Sequence, residues 1–111
     1  MSKKRKSPPI APARPYFCRN PTTLVSDSLK GYVASHPHVG LLAAHNVVYR
    51  RNIPPSQSVA LISGGGAGHE PGFAGYVGSC MLDACVSGNV FASPNPAQIL
   101  AAIKKVNSHS S

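Results

Sequence analysis

No apolar run in this sequence of 111 residues reaches the ~20 needed to span a bilayer. The N-terminus starts basic but has no apolar segment behind it, so it does not read as a secretory signal. Cysteine is scarce. Cys18, Cys80 and Cys85 form neither a C-x-x-C pair nor an even-numbered secreted framework, and the reading is free thiols in a reducing compartment, with no metal role. Internal repeats are lacking as well. These absences lead to the expectation of an intracellular, cytoplasmic protein without a membrane association.

Acidic residues are the rarest charged class: Asp27, Glu70 and Asp83 stand against eleven Lys and Arg, for a formal net charge of +8. The position of that charge decides its meaning. Lys3, Lys4, Arg5, Lys6, Arg14 and Arg19 all fall in the first twenty residues, which contain no acid. The remainder is close to balanced. A nucleic-acid-binding domain carries its charge as a patch on the fold, so nucleic acid is not the expected partner. Residues 1–19 also hold Pro8, Pro9, Pro12 and Pro15 with no periodic apolar pattern, and read as a disordered, basic, proline-rich tail. Within it Lys3–Lys6 has the form of a nuclear-localisation cluster, against which stands the plainer reading of a solvated tail. The prolines argue against the amphipathic helix of a mitochondrial presequence.

From Asn20 onward the composition is that of one small α/β domain. Asn20-Pro21-Thr22 is a helix start, with a capping side chain and then a proline where its missing N–H costs nothing. Val25, Leu29, Tyr32 and Val33 make one face of that helix, which should stop near His36 because Pro37 disfavours helical geometry before it. His45 to Arg51 reads as a short strand, and Ile53 to Gln57 as a turn. Ser58 to Ile62 is a continuous apolar run suited to a strand covered on both faces. The glycine-rich stretch Ser63 to Pro71 then leads into an expected helix, with Glu70 and Pro71 in its first turn. Asp83 to Phe91 is the next strand. Ser93 to Pro96 opens a last helix, with Ile99, Leu100 and Ile103 as its apolar face. A buried strand, a glycine loop and a helix in succession are the usual geometry of a ligand site in an open α/β sheet.

Three familiar glycine or histidine motifs fail on this stretch. The P-loop requires lysine after its last glycine, and Gly68 is followed by His69. The dinucleotide fingerprint G-x-G-x-x-G/A fails from Gly66, where its third position is Pro71, and from Gly64, where it is His69. The zinc-protease pattern H-E-x-x-H has Phe73 where its second histidine belongs. There remains a loop whose backbone N–H groups, at a helix start, would hold an oxygen-rich ligand. Imidazole titrates near neutral pH, so His69 beside it could accept a hydroxyl proton. A tight strand-to-helix turn with an exposed histidine is the alternative on these residues alone.

Leu61-Ile-Ser-Gly-Gly-Gly-Ala-Gly-His-Glu-Pro71, Gly75-Tyr-Val-Gly78, Met81-Leu-Asp-Ala84, Gly88-Asn-Val-Phe-Ala-Ser-Pro94 and Ala97-Gln-Ile-Leu-Ala-Ala-Ile103 together resemble the opening of the DhaK-type domain of dihydroxyacetone (glycerone) kinases. The similarity runs from Asn20 to about Val106 and looks closest to the single-chain, ATP-dependent fungal type. The resemblance implies that the backbone at Gly66 hydrogen-bonds dihydroxyacetone and that Ala67 and Gly68 line the same turn. It also implies that His69 contacts a substrate hydroxyl and orients or deprotonates it for attack on the γ-phosphate of ATP. Ala67 stands where the family more often has serine, and Cys80 where glycine is usual.

Other parts of the family pattern have no match. The family's site also takes a lysine and an aspartate from a loop after the next strand, and a later histidine that binds the substrate carbonyl covalently. ATP and Mg²⁺ are held by a separate helical domain or subunit. His109 lies in a polar tail, 108–111, and is not that histidine; Lys104 and Lys105 lie on the last helix. The expectation is a partial open α/β sheet over residues 20–107, an incomplete DhaK-type domain that binds dihydroxyacetone, holds no cofactor and has no kinase activity alone. The alternative is a non-catalytic binding or dimerising module, a homodimer or one completed by a partner chain.

Overall fold

The computed structural model describes residues 20–108. The basic tail with Lys3–Lys6 and Cys18, and the final residues with His109, lie outside the described residues. The elements in chain order are a 3-10 turn Pro21–Thr23, α1 (Leu24–Ser35), β1 (Val39–Leu42), β2 (Val47–Arg50), β3 (Ile62–Ala67), a 3-10 turn Ala74–Tyr76, β4 (Ala84–Val90) and α2 (Pro96–Asn107). The four strands form one mixed sheet in the order β1-β2-β4-β3. β1/β2 and β2/β4 pair antiparallel, and β3/β4 pair parallel.

The start of α1 agrees closely with the sequence pattern. Asn20 Oδ1 accepts the Thr22 N–H at 3.0 Å, and the turn opened by Pro21 leads into the helix. The helix ends at Ser35, one residue before His36 and Pro37. Leu29 is buried, with Val25, Tyr32 and Val33 packed around it against Val39, Val48, Ala74, Val77 and Cys85. A second cluster forms on the other face of the sheet, where Val47, Ala84 and Val86 meet Ala102 and Val106 of α2. Successive side chains of a strand point to opposite faces. Val47 and Val48 therefore serve different clusters, as do Ala84 and Cys85.

Three expectations need correction, and a fourth difference is a strand with no expectation behind it. The first strand after the Ile53–Gln57 turn is not Ser58–Ile62. Val59 and Leu61 are exposed, and pairing with β4 starts at Ile62 and runs through the glycines. Those glycines belong to the strand because the backbone needs the space: a Cβ on Gly64 would collide with the Val86 carbonyl oxygen. No α-helix succeeds them. Residues 69–77 close i→i−3 turns, with Gly72 N–H donating to His69 O at 3.2 Å, Tyr76 N–H to Phe73 O at 3.0 Å and Val77 N–H to Ala74 O at 3.1 Å, around a single helix-type bond from Gly75 N–H to Pro71 O at 2.8 Å. Gly72 and Gly75 give that segment poor helix propensity.

The third correction concerns α2, which starts where expected, at Pro96, and is fixed there by a capping box between Asn95 and Gln98. Its packed face, however, is Ala102 and Val106, whereas Ile99, Leu100 and Ile103 are 41–50% exposed. Small Ala102 lets the helix lie close against Ala84 and Val86, and Gln98 Nε2 fixes that approach by donating to His45 O at 2.8 Å and Ser87 O at 2.9 Å. The fourth is β1, which the sequence pattern leaves unannounced. Gly40 interrupts it, and the ring of Tyr49 directly across the ladder covers the space a side chain would fill. Among the described residues no helix is long and apolar enough to cross a membrane.

Candidate functional site

Gly66, Ala67, Gly68 and His69 lie at the C-terminal end of β3, beside the end of its parallel neighbour β4. Ligands of open α/β sheets bind outside the carboxyl ends of the strands. Ala67 is buried and its carbonyl accepts the Phe91 N–H at 2.7 Å, which ties the two strand ends together. Gly66 runs against the backbone of Phe91 and Ala92, so closely that a Cβ there would sit 2.7 Å from Ala92 N. Gly68 has φ +120, in the left-handed region that favours glycine, and the Phe91 ring lies over it: a Cβ would be 2.6 Å from Phe91 Cε1.

Phe91 was missed as part of this turn. It is 78% exposed with φ +53, an apolar ring held over a glycine at the surface. The signal was its place at the end of an apolar strand within Gly88-Asn-Val-Phe-Ala-Ser-Pro94, though nothing in that string says which way the ring turns.

His69 is exposed. Its ring meets Phe73 edge-on with centroids 5.7 Å apart, and Phe73 meets Tyr76 at 6.3 Å. Beyond this aromatic group a cavity of about 390 Å³, lined by Leu61, Ser63, Phe73, Tyr76, Cys80 and Met81 among others, opens beside β3. A second, of about 340 Å³, lies along the opposite face of β3 between Ile62, Gly64, Pro94 and Ile99. β3 is thus flanked by open space on both faces and occupies the edge of the sheet.

The turn's backbone donors differ from the expected array of open N–H groups. Without a helix there is no N-terminal set of donors, and the Gly68 N–H is engaged by both carboxylate oxygens of Glu70, at 3.1 and 3.2 Å. An oxygen of this chain therefore already lies on that N–H.

The carboxylates among the described residues do not fit a magnesium site. Asp83 is buried and committed to Gln57 Nε2 at 2.7 Å, Leu61 N–H at 2.9 Å and Arg50 Nη1 at 3.3 Å. Asp27 accepts from the Thr23 hydroxyl at 2.9 Å on α1, and Glu70 lies on Gly68. No three His, Cys, Asp or Glu among the described residues group to hold a metal ion.

The family model described as the Dak1 domain matches residues 30–111. Dihydroxyacetone kinase 1 of Saccharomyces cerevisiae is 44% identical over 90 residues, covering 81% of this chain and 15% of the yeast protein. The crystal structure of the dihydroxyacetone kinase from C. freundii in complex with AMP-PNP and Mg²⁺ superposes with a TM-score of 0.76 at 41% identity, over 85% of this chain and 18% of that one. A dihydroxyacetone kinase operon co-activator, DhaQ, matches with a TM-score of 0.70 at 41% identity, over 74% of this chain and 25% of its own. The chain therefore spans about a seventh of the length of the curated relatives it matches.

Proposed function

The chain belongs to the Dak1 domain family, and we propose that it supplies the dihydroxyacetone-binding portion of a dihydroxyacetone kinase. The observation that carries this reading is the Gly66–His69 turn at the carboxyl end of β3, with a backbone N–H already holding oxygen and an exposed imidazole beside it. In this proposal the Gly66 backbone bonds a substrate oxygen, and Ala67 and Gly68 give the turn its shape. His69 holds a triose hydroxyl and takes its proton as that oxygen attacks a phosphoryl group. That step belongs to the complete kinase, where other segments supply ATP and magnesium. The chain by itself is proposed to bind the triose without phosphorylating it.

An amide NMR titration of the full chain with dihydroxyacetone tests the site. Shifts should centre on Gly66, Gly68 and His69, and His69→Ala should weaken binding about two- to tenfold, as removal of one hydrogen bond between neutral groups does. Affinity unchanged in His69→Ala refutes the assignment. Turnover of ATP dependent on dihydroxyacetone in the purified chain would refute the proposed inactivity.

A second reading, a non-catalytic binding or dimerising module, is favoured by the edge of β3. The strand has open cavities on both faces, and Leu61 and Ile99, which line them, are exposed. It carries neither the lysine nor the proline with which edges are commonly blunted. Similarity to a co-activator gives this reading a precedent outside catalysis. Sedimentation separates the two: a monomer that binds triose supports the first, and a dimer or mixed complex without triose binding supports the second.

A further inference from the structure

Glu70 stands two residues beyond the amide it covers, and both its oxygens reach the Gly68 N–H. It joins no ion pair among the described residues. Among the described residues the ion pair is Arg50–Asp83, at the other end of β3. His69 succeeds Gly68 where a phosphate loop has its lysine, and the next residue is an acid. The turn therefore combines the glycine backbone of an anion-binding loop with a negative charge on its donor.

We infer that Glu70 is a specificity residue that makes this turn accept neutral polyhydroxy compounds and exclude anions, phosphorylated trioses included. The inference rests on the proposed function, since it names the ligand class of the same turn. A hydroxyl is both donor and acceptor. It can give its hydrogen to the Glu70 carboxylate while its oxygen receives a neighbouring N–H, so the carboxylate becomes part of its binding site. An ionised phosphate oxygen can only accept. To reach the Gly68 N–H it must displace Glu70 and then remain beside it, with nearly two negative charges against one. Like charges a few ångströms apart near a protein surface repel strongly, and the exposed turn moderates this without cancelling it. The same repulsion acts on a phosphorylated product and favours its departure over that of the neutral substrate.

The Gly68 and His69 amides of the full chain, tracked by NMR, provide the test during titration with inorganic phosphate, and separately with dihydroxyacetone and its phosphate ester. Glu70→Gln keeps a carbonyl oxygen for the Gly68 N–H and removes the charge; Glu70→Asp keeps the charge. Phosphate should bind Glu70→Gln about tenfold or more tighter than the wild type, and Glu70→Asp should remain close to the wild type. The ratio of ester to neutral triose affinity should rise by a similar factor in Glu70→Gln. An equal phosphate response in wild type and Glu70→Gln, with dihydroxyacetone still shifting the turn, overturns the role of Glu70 and leaves the site standing. Dihydroxyacetone that leaves the wild-type amides unmoved overturns both the proposed function and the selection of a neutral triose, whichever way phosphate responds.

Discussion

The Asp83 carboxylate, only 1% exposed, accepts the backbone N–H of Leu61 at 2.9 Å, across 22 residues of chain. This bond sets where β3 begins. The Asp83 N–H returns to Leu61 O at 2.8 Å, and one residue later Ile62 enters register with Ala84. Arg50 and Gln57 complete the network and attach it to β2 and the turn before β3. The position of the glycine turn thus depends on a group some distance from it.

Asp83→Ala leaves Arg50, 13% exposed, without its anion and the Leu61 N–H without its acceptor. Breaking one side of a buried pair costs about 3–5 kcal/mol, a large share of a small domain's stability. Urea unfolding should show that loss, and Gln57→Ala a smaller one of about 1 kcal/mol. A cost under about 1 kcal/mol for Asp83→Ala would remove it from this role.

Cys80 holds φ +62, the left-handed region that costs a side chain about 1–2 kcal/mol. Glycine there carries no such strain but gives back about 0.5–1 kcal/mol of chain entropy. Cys80→Gly should therefore raise the unfolding free energy by about 0.5–1 kcal/mol. An unchanged or lower midpoint in thermal unfolding contradicts this.

Burial pushes the Cys85 thiol above its ordinary value of 9.0, against smaller lowering by the Ser87 side chain and the Phe73 backbone. Burial also raises Tyr32 above 10.0, with a further contribution from Cys85. A group raised in the folded state protects it below the unfolded value and loses that contribution as pH climbs through the folded one. Stability should therefore be flat with respect to these two groups near neutrality and fall progressively above about pH 9. In a Cys18→Ser, Cys80→Ser chain, thiol labelling at neutral pH should proceed only on unfolding. Rapid labelling of the folded protein would show that Cys85 is not sequestered.

Substitutions within the turn should separate by cause. Gly66→Ala places a methyl 2.7 Å from the Ala92 backbone nitrogen, where nothing flexible can give way. It should lower stability by more than about 2 kcal/mol, as overpacking against backbone does, and its loss of binding would not identify a ligand contact. His69→Ala removes an exposed ring and should leave the unfolding free energy within about 0.5 kcal/mol of the wild type. A change larger than that would mean His69 supports the fold through Phe73.

Much of the chain was legible because local chemistry and the fold agree. Asn20-Pro21 and the spacing of Val25, Leu29, Tyr32 and Val33 mark α1, and Ser93-Pro94-Asn95-Pro96 marks the start of α2. The run before Phe91 marks β4, and the glycine string with His69 marks both the family and the turn. Capping, periodicity and backbone freedom are properties of a few adjacent residues, so the sequence by itself determined them. It could not say which face of α2 packs, because Ile99, Leu100 and Ile103 outweigh Ala102 in hydrophobicity, whereas the sheet selects the small residue that allows close approach. Nor could it move β3 onto its glycines or reveal β1. Those depend on Asp83 reaching Leu61, on Val86 leaving no space at Gly64 and on Tyr49 covering Gly40. The tertiary structure decided each of these because a glycine reads as a loop until the partner that fills its missing side chain is in place.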